Sequence, residues 1–218
     1  MIDAVVFDLD GVLLDSEQVW NEAKEELVGE RGGRWVDRAP RDMMGMSSLE
    51  WSRYMRDELG VDMEPPQISD EVVARLEHIY REHLPLLDGA VDAVVRLGER
   101  WPLGLATSSN REIIDLFLEL SGLDGRFAVT LSSEEVERGK PAPDVYLEAA
   151  RRLGAEPTRC AAIEDSENGI RAAKAAGMRV IALPNPHYPP EAGALAQADD
   201  VIDNLGELTP ERIPFPAS

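Results

Sequence analysis

The feature that most restricts the fold is an apolar run near the start of the chain that ends in two aspartates. Residues 4–7 read AVVF, and Asp8-Leu9-Asp10-Gly11 follows directly. Such a run is typical of a strand buried on both faces of a parallel sheet. Alternate residues of a strand point to the same side, so Asp8 and Asp10 start out aimed the same way. Open α/β sheets bind ligands at this end of their strands. The alternative is a pair of capping aspartates in an ordinary loop.

The rest of the chain divides into an all-helical part and an alternating part. Helical patterns predict helices at 16–30, 47–59 and 69–83, with breakers between them at 29–33, 41–45 and 64–66. From residue 89 onward, helices of about 10–15 residues alternate with strands, which are predicted at 103–107, 127–131, 161–163, 179–183 and 201–202. This alternation implies right-handed crossovers and a parallel sheet. We therefore predict an α/β fold in which a core of residues 1–14 and 86–218 carries an inserted small all-helical domain at 15–85.

Charge and hydropathy exclude several classes of partner. The formal net charge is −20, whereas nucleic acids and anionic membranes attract patches of lysine and arginine. The sequence contains no run of about 18 apolar residues, and its start does not resemble a signal peptide. We expect a cytoplasmic protein that binds neither nucleic acid nor membrane. Residues 214–218 are predicted to form a loose tail.

Polar groups follow the predicted strands at four places. Each of them alone is compatible with helix capping or a solvated surface, but the carboxyl ends of parallel strands meet at one edge of a sheet. The set therefore offers a nucleophile, an acid/base, phosphate ligands and a cation site. Its members are Asp8 with Asp10, the turn Thr107-Ser108-Ser109-Asn110, Lys140 in a Gly-Lys-Pro-Ala-Pro loop, and Glu164 with Asp165.

This combination suits the transfer of a phosphoryl group. Mg²⁺ prefers hard oxygen ligands such as Asp8, Asp165 and backbone carbonyls. The cation, Lys140, the Thr107 hydroxyl and helix N-terminal N–H groups can surround the phosphoryl oxygens. Asp8, ionised at neutral pH on a reference pKa of ~3.9, can attack phosphorus to give an aspartyl-phosphate. Asp10 can then protonate the leaving alcohol and later activate water.

Four segments carry a resemblance to a known family. DLDGVLLDSE (8–17), ATSSN (106–110), GKPAPDVY (139–146) and IEDSENGIRAAKAAG (163–177) resemble the four motifs of the haloacid dehalogenase superfamily. Within it, the chain is similar to the β-phosphoglucomutase-like phosphatase branch, whose helical cap is inserted just after the first motif. The resemblance implies a Rossmann-like core, a mobile cap domain and Mg²⁺, and it leads us to expect a monomer.

The same resemblance implies a role for each motif residue. Asp8 would be the nucleophile and Asp10 the acid/base. The phosphoryl group would be bound by Thr107 and Lys140, and we add Ser108 and Asn110 of the same turn as candidates. The implied metal residues are Asp8, Asp10 through its carbonyl, Asp165, and Glu164 through water.

Two departures bear on the choice between phosphatase and mutase. The mutases that the chain resembles carry a cap histidine five residues after the aspartate matching Asp15, where this chain has Trp20. They also carry an arginine at the end of a G-x-S-R loop, and the matching segment, Gly45 to Ser48, ends in serine. Trp20, Gly45 and Ser48 are therefore our candidates for substrate specificity. For Trp20, packing within the cap is the alternative.

The sequence as a whole predicts a Mg²⁺-dependent phosphatase. Its substrate would be a small phosphorylated metabolite, a sugar or polyol phosphate, hydrolysed through phospho-Asp8. A β-phosphoglucomutase-like sugar phosphomutase is the alternative of the same class. A catalytically degenerate module that only binds a phosphorylated ligand is the alternative of another class, and the complete set of Asp8, Asp10, Lys140 and Asp165 argues against it.

Overall fold

The strand predicted at the start of the chain lies in the middle of a parallel sheet. The computed structural model describes residues 2–213, so the tail predicted at 214–218 lies outside the described residues. Six strands pair in the order β3-β2-β1-β4-β5-β6, and each pair is parallel. The predicted α/β class is confirmed. The strands are β1 (Ala4–Phe7), β2 (Leu103–Thr107), β3 (Val129–Ser132), β4 (Cys160–Glu164), β5 (Arg179–Ala182) and β6 (Asp200–Val201).

Helices form both the inserted segment and the crossovers of the sheet. The segment between β1 and β2 contains α1 (Glu17–Glu30), α2 (Ala39–Met43), α3 (Ser48–Asp57) and α4 (Pro65–Glu82), and we call residues 17–82 the helical insert. The remaining helices are α5 (Ala90–Gly98), α6 (Arg111–Ser121), α7 (Asp144–Leu153), α8 (Glu167–Ala175) and α9 (Ala192–Leu195). Within residues 2–213, none of the helices has the length and apolar content to cross a lipid bilayer.

Some element boundaries differ from the prediction. Helix α4 begins at Pro65 and not at residue 69, because a proline in the first turn lacks only an N–H that would have no partner there. The Glu64 N–H is bound by the side chain of Gln67, 3.4 Å away, which completes a capping box. Helix α2 was not predicted, and it carries Pro40 in its first turn. Strand β3 begins at Val129, after Phe127, whose ring packs edge-on against Phe7.

Two apolar clusters, one on each face of the sheet, fix the position of β1. Val5 and Phe7 belong to a cluster that also includes residues of the insert, α5 and α6. Ala4 and Val6 belong to a second cluster, which is built mainly with α7 and α8. Because both faces of the strand are covered, the polar residues that follow it can avoid the apolar core only at its carboxyl end. Asp8 and Asp10 are therefore held at the edge of the sheet.

The two ends of the insert join the core side by side. The Asp15 N–H donates to the Pro85 carbonyl at 2.8 Å, and Leu14 forms an antiparallel bridge with Leu86. The chain therefore enters and leaves the insert side by side, at the edge where the first strand ends.

Candidate active site

A small cavity lies between the carboxyl edge of the sheet and the helical insert. Its volume is about 50 Å³, which is enough for a few water molecules. The core and the insert each supply part of its wall. The core contributes Asp8, Asp10, Thr107, Ser108, Ser109, Lys140, Asp165 and Ser166 to the lining, and the insert contributes Glu17, Trp20, Asn21, Lys24, Pro40, Met43, Met44, Gly45, Met46 and Trp51.

Lys140 binds two of the predicted site residues. Its Nζ donates to Asp8 Oδ1 at 2.7 Å, to Glu164 Oε1 at 2.6 Å and to the Ala106 carbonyl at 3.1 Å. Burial acts to lower the pKa of Lys140, but the charges of Asp8 and Glu164 outweigh it, so the pKa lies above its usual value. Lys140 is therefore a fixed positive charge beside Asp8.

Both oxygens of the Glu164 carboxylate accept hydrogen bonds from protein donors. Oε1 accepts from Lys140 and from the Tyr146 hydroxyl, and Oε2 accepts from the Asp165 and Ser166 N–H groups. A Cβ at Gly169 would lie 1.9 Å from this carboxylate, so only glycine leaves room for it. Glu164 was predicted to assist the metal through water, and its oxygens also accept hydrogen bonds from protein donors. One of these donors is Lys140, which Glu164 therefore helps to hold beside Asp8.

The environment of Asp8 disfavours its charge when no further cation is near. Burial raises the pKa of Asp8 to about 8, with Lys140 opposing this and Glu164 and Asp10 adding to it. Asp165 is also fully enclosed, and burial together with Glu164 and Asp8 raises its pKa well above the usual value. These two carboxylates need additional positive charge to be ionised together.

The residues present fit a hard divalent cation. Carboxylate oxygens of Asp8, Glu164 and Asp165 lie within 4.8 Å of one another, and Asp165 Oδ2 is buried without a hydrogen-bond partner. Gly11 has a φ of +77°, and a Cβ there would lie 1.9 Å from that oxygen. The glycine thus keeps open a space that faces oxygen ligands of the kind Mg²⁺ prefers. The side chain of Asp10 is not part of this cluster.

Asp10 is held from both sides of the cavity. Its Oδ1 accepts from Ser16 Oγ at 2.5 Å and from the Trp20 indole N–H at 2.9 Å, while its Oδ2 accepts from Ser109 Oγ at 2.5 Å. Thr107 Oγ1 makes a longer contact with Oδ2, at 3.4 Å. Ser16 fits the sequence pattern of an N-cap, but its hydroxyl makes no cap hydrogen bond and serves Asp10. Trp20, predicted for specificity, reaches the predicted acid/base.

The candidate phosphate-binding residues of the turn after β2 do not all line the cavity. Thr107 and Ser108 line the cavity, and Ser108 Oγ also donates to the Gly45 carbonyl of the insert at 3.0 Å. Asn110 is not in the lining. Its Nδ2 donates to Glu134 at 2.9 Å and to Ser69 of α4 at 3.4 Å, so it ties α6 to the insert.

The three specificity candidates are also separated. Trp20 and Gly45 line the cavity. Ser48 is buried at the start of α3 and lies outside the lining. Ser48 is the first residue of α3, directly after the N-cap Ser47. The spacing of the motif alone does not show that its side chain is buried there.

Sequence reasoning missed Glu17 and Lys24, which line the insert side of the cavity. Burial raises the pKa of Glu17 to about 7 and lowers the pKa of Lys24 to about 8. Together with Trp20, they recur on α1 at intervals of three and four residues, which places them on one helix face. That spacing, and the presence of only three lysines in the chain, was a signal that could have identified Lys24.

Comparison with known proteins gives concordant matches. The family model for haloacid dehalogenase-like hydrolases matches residues 2–177. Hexitol phosphatase B of Escherichia coli strain K12 is 34% identical over 217 residues, covering 94% of each chain. A probable pseudouridine-5'-phosphatase of Drosophila melanogaster is 32% identical over 219 residues, covering 97% of this chain and 94% of the fly protein. The crystal structure of CbbY from Rhodobacter sphaeroides in complex with phosphate has a TM-score of 0.83 at 28% identity, covering 95% of this chain and 96% of CbbY.

Proposed function

The chain belongs to the haloacid dehalogenase-like hydrolase family, and we propose that it is a Mg²⁺-dependent phosphatase of a small sugar or polyol phosphate. The observation that carries the proposal is the environment of Asp8. One of its oxygens is bound to Lys140 at 2.7 Å, and it shares a cluster with Asp165, whose Oδ2 has no partner. The proposed nucleophile, a fixed positive charge and a carboxylate oxygen without a hydrogen-bond partner thus occur together.

The proposed reaction has two displacements at phosphorus. An Asp8 oxygen attacks the phosphoryl group, the bond from phosphorus to the leaving oxygen breaks, and Asp10 donates a proton to that oxygen. Water then attacks the phospho-Asp8 intermediate, Asp10 takes a proton from the water, and inorganic phosphate leaves. Lys140 and the Thr107 hydroxyl bind the phosphoryl oxygens during both steps.

The metal proposed for this reaction would be bound by Asp8, Asp165 and the Asp10 carbonyl. When bound, Mg²⁺ supplies positive charge that favours ionised carboxylates and offsets the charge of the phosphoryl oxygens. Glu164 would assist the metal through water, and it also binds Lys140.

We further propose that residues 15–85 act as a cap domain on a core of residues 1–14 and 86–218. The insert supplies one wall of the cavity, so movement of the cap would widen it to admit a sugar phosphate. Opening would break the Ser108–Gly45 hydrogen bond and the bond from Asn168 Nδ2 to the Met44 carbonyl, 3.1 Å long. The cytoplasmic location and the monomeric state stay predictions.

Three observations support a phosphatase over the mutase alternative. Trp20 lines the cavity, and its indole N–H donates a hydrogen bond to Asp10. Ser48, where the mutases have their arginine, is outside the cavity lining. The relatives reported above bear the names of phosphatases, and one of them is named for a hexitol substrate, which supports a polyol or sugar phosphate.

The test is phosphate release from a panel of hexitol, hexose, pentose and glycerol phosphates, measured with Mg²⁺ and with EDTA. We expect metal-dependent release that is concentrated on a few polyol or sugar phosphates. Interconversion of hexose phosphate isomers without release would favour the mutase. Binding of the same esters without any turnover would favour the degenerate binding module.

A further inference from the structure

The insert side of the cavity contains a lysine without a hydrogen-bonding partner. Lys24 is buried, and its Nζ lies 5.0 Å from the ring centroids of both Trp20 and Trp51. The two rings contact each other edge-on at 6.0 Å. Within residues 2–213, the Lys24 ammonium takes part in none of the hydrogen bonds or ion pairs. An ammonium group donates up to three hydrogen bonds, so Lys24 has its donors free toward the cavity.

Glu17 lies on the same face of α1 and is also unsatisfied. It lines the cavity, and its carboxylate makes no side-chain hydrogen bond with any residue in the described range. It influences Lys24 electrostatically but is not within ion-pair distance of it. Two opposite charges therefore face one cavity without a hydrogen bond between them, and a ligand in the cavity can supply partners to both.

The charge balance of this corner restricts what can enter it. The charges that act on Lys24 are those of Glu17 and Asp10, both carboxylates. One cation beside two anions leaves no surplus positive charge for a second phosphate or a carboxylate of the substrate. A hydroxyl group fits better, because its oxygen accepts from an ammonium and its hydrogen donates to a carboxylate.

We propose that Lys24, with Glu17, recognises hydroxyl groups of an uncharged polyol leaving group. The enzyme then prefers phosphate monoesters of polyols over bisphosphates and phosphorylated carboxylic acids. The Trp20 and Trp51 rings both contact the Lys24 ammonium, which lines the cavity. This inference rests on the proposed phosphatase function, and it assigns recognition of the leaving group to two residues of the insert.

The experiment compares two esters of equal chain length, sorbitol 6-phosphate and n-hexyl phosphate, which differ in their hydroxyl groups. The quantity measured is the ratio of kcat/KM for the two esters with Mg²⁺. Lys24→Met keeps the length and packing of the side chain, and Glu17→Gln is nearly isosteric. Because a hydrogen bond to a charged group contributes about 1.5–3 kcal/mol, each variant should lower the ratio about 10- to 100-fold. Lys174→Met is the matched control, since Lys174 pairs with Asp199 at 2.9 Å on the surface, and it should leave the ratio unchanged.

The outcomes separate this inference from the proposed function. If Asp8→Asn abolishes release but Lys24→Met and Glu17→Gln leave the ratio unchanged, the phosphatase stands and the recognition role is wrong. A wild-type preference for hexose bisphosphates over sorbitol 6-phosphate would also overturn it. If the wild type releases phosphate from neither ester, the proposed function fails and the inference falls with it. As a readout that does not depend on turnover, Lys24→Met in an Asp8→Asn background should weaken the binding of sorbitol 6-phosphate by a similar factor.

Discussion

The core side and the insert side of the cavity treat their charged groups in opposite ways. On the core side, Asp8, Lys140 and Glu164 are joined by hydrogen bonds of 2.6 and 2.7 Å. On the insert side, Glu17 and Lys24 are close enough to influence each other but form no hydrogen bond. A fully connected buried network is rigid and specific, which suits groups that must meet a reacting phosphorus. Unsatisfied groups suit recognition, because a ligand then supplies the missing partners.

The largest effect is expected from Asp8→Asn, which removes the proposed nucleophile from the core side. Release of phosphate should fall by more than about 10⁴-fold, while Lys140 keeps Glu164 as its partner and the fold survives. Steady-state kinetics and a thermal melt check both points. Asp115→Asn on the exposed surface of α6 is the control. Substantial turnover by the Asp8→Asn protein would contradict the phospho-aspartate mechanism.

The same substitution at two lysines tests the comparison directly. Lys140→Met leaves Asp8 and Glu164 buried without a cation, so the free energy of unfolding should fall by about 3–5 kcal/mol and the rate by about 10²- to 10³-fold. Lys24→Met removes no hydrogen bond and should lower the free energy of unfolding by less than about 2 kcal/mol. Urea denaturation measures both. Equal losses of stability would show that the two sides do not differ in the way described.

The free energy of unfolding of the metal-free protein should depend on pH through groups on both the core side and the insert side of the cavity. The pKa of Asp8 is raised to about 8, that of Glu17 to about 7 and that of Asp165 well above its usual value, so the folded state holds protons that the unfolded state has released. Stability should therefore be greatest near pH 5 and fall as the pH rises to 8, by up to about 1.4 kcal/mol per pH unit for each group. Denaturation in EDTA at several pH values measures this slope.

Added Mg²⁺ and a substitution show which side of the cavity causes the change of stability with pH. Saturating Mg²⁺ should remove the contributions of Asp8 and Asp165, because a bound cation favours the ionised carboxylates. Glu17→Gln should remove the other contribution, with or without metal. A slope that neither change alters would contradict the assignment.

The smallest effect is expected at the one hydrogen bond that joins the insert to the acid/base. Trp20→Phe keeps an aromatic ring beside Lys24 but removes the indole N–H that donates to Asp10 at 2.9 Å. Because that bond is made to a carboxylate, kcat should fall about tenfold. Trp51→Phe is the matched control, since Trp51 contacts the same lysine and is not bonded to Asp10. If the two variants lose the same activity, Trp20 acts through packing alone.

Sequence reasoning succeeded where the information is local. The position of Asp8 and Asp10 follows from a strand period of two and from the convergence of strand ends, so the sheet and the core side of the cavity were predictable. It fell short where a side chain chooses among distant partners. Glu164 is engaged by Lys140 and Tyr146, and Asn110 turns toward Glu134. No spacing in the sequence specifies these contacts.

The side-by-side junction of the insert has a consequence for redesign. Leu14, before the insert, and Leu86, after it, already form an isolated antiparallel bridge. A different insert can therefore be grafted between these positions without bridging a gap or moving the first strand. Under the proposed function, the core supplies the reacting groups and the insert the contacts to the leaving group, so exchange of one contiguous stretch of gene is expected to change the substrate specificity.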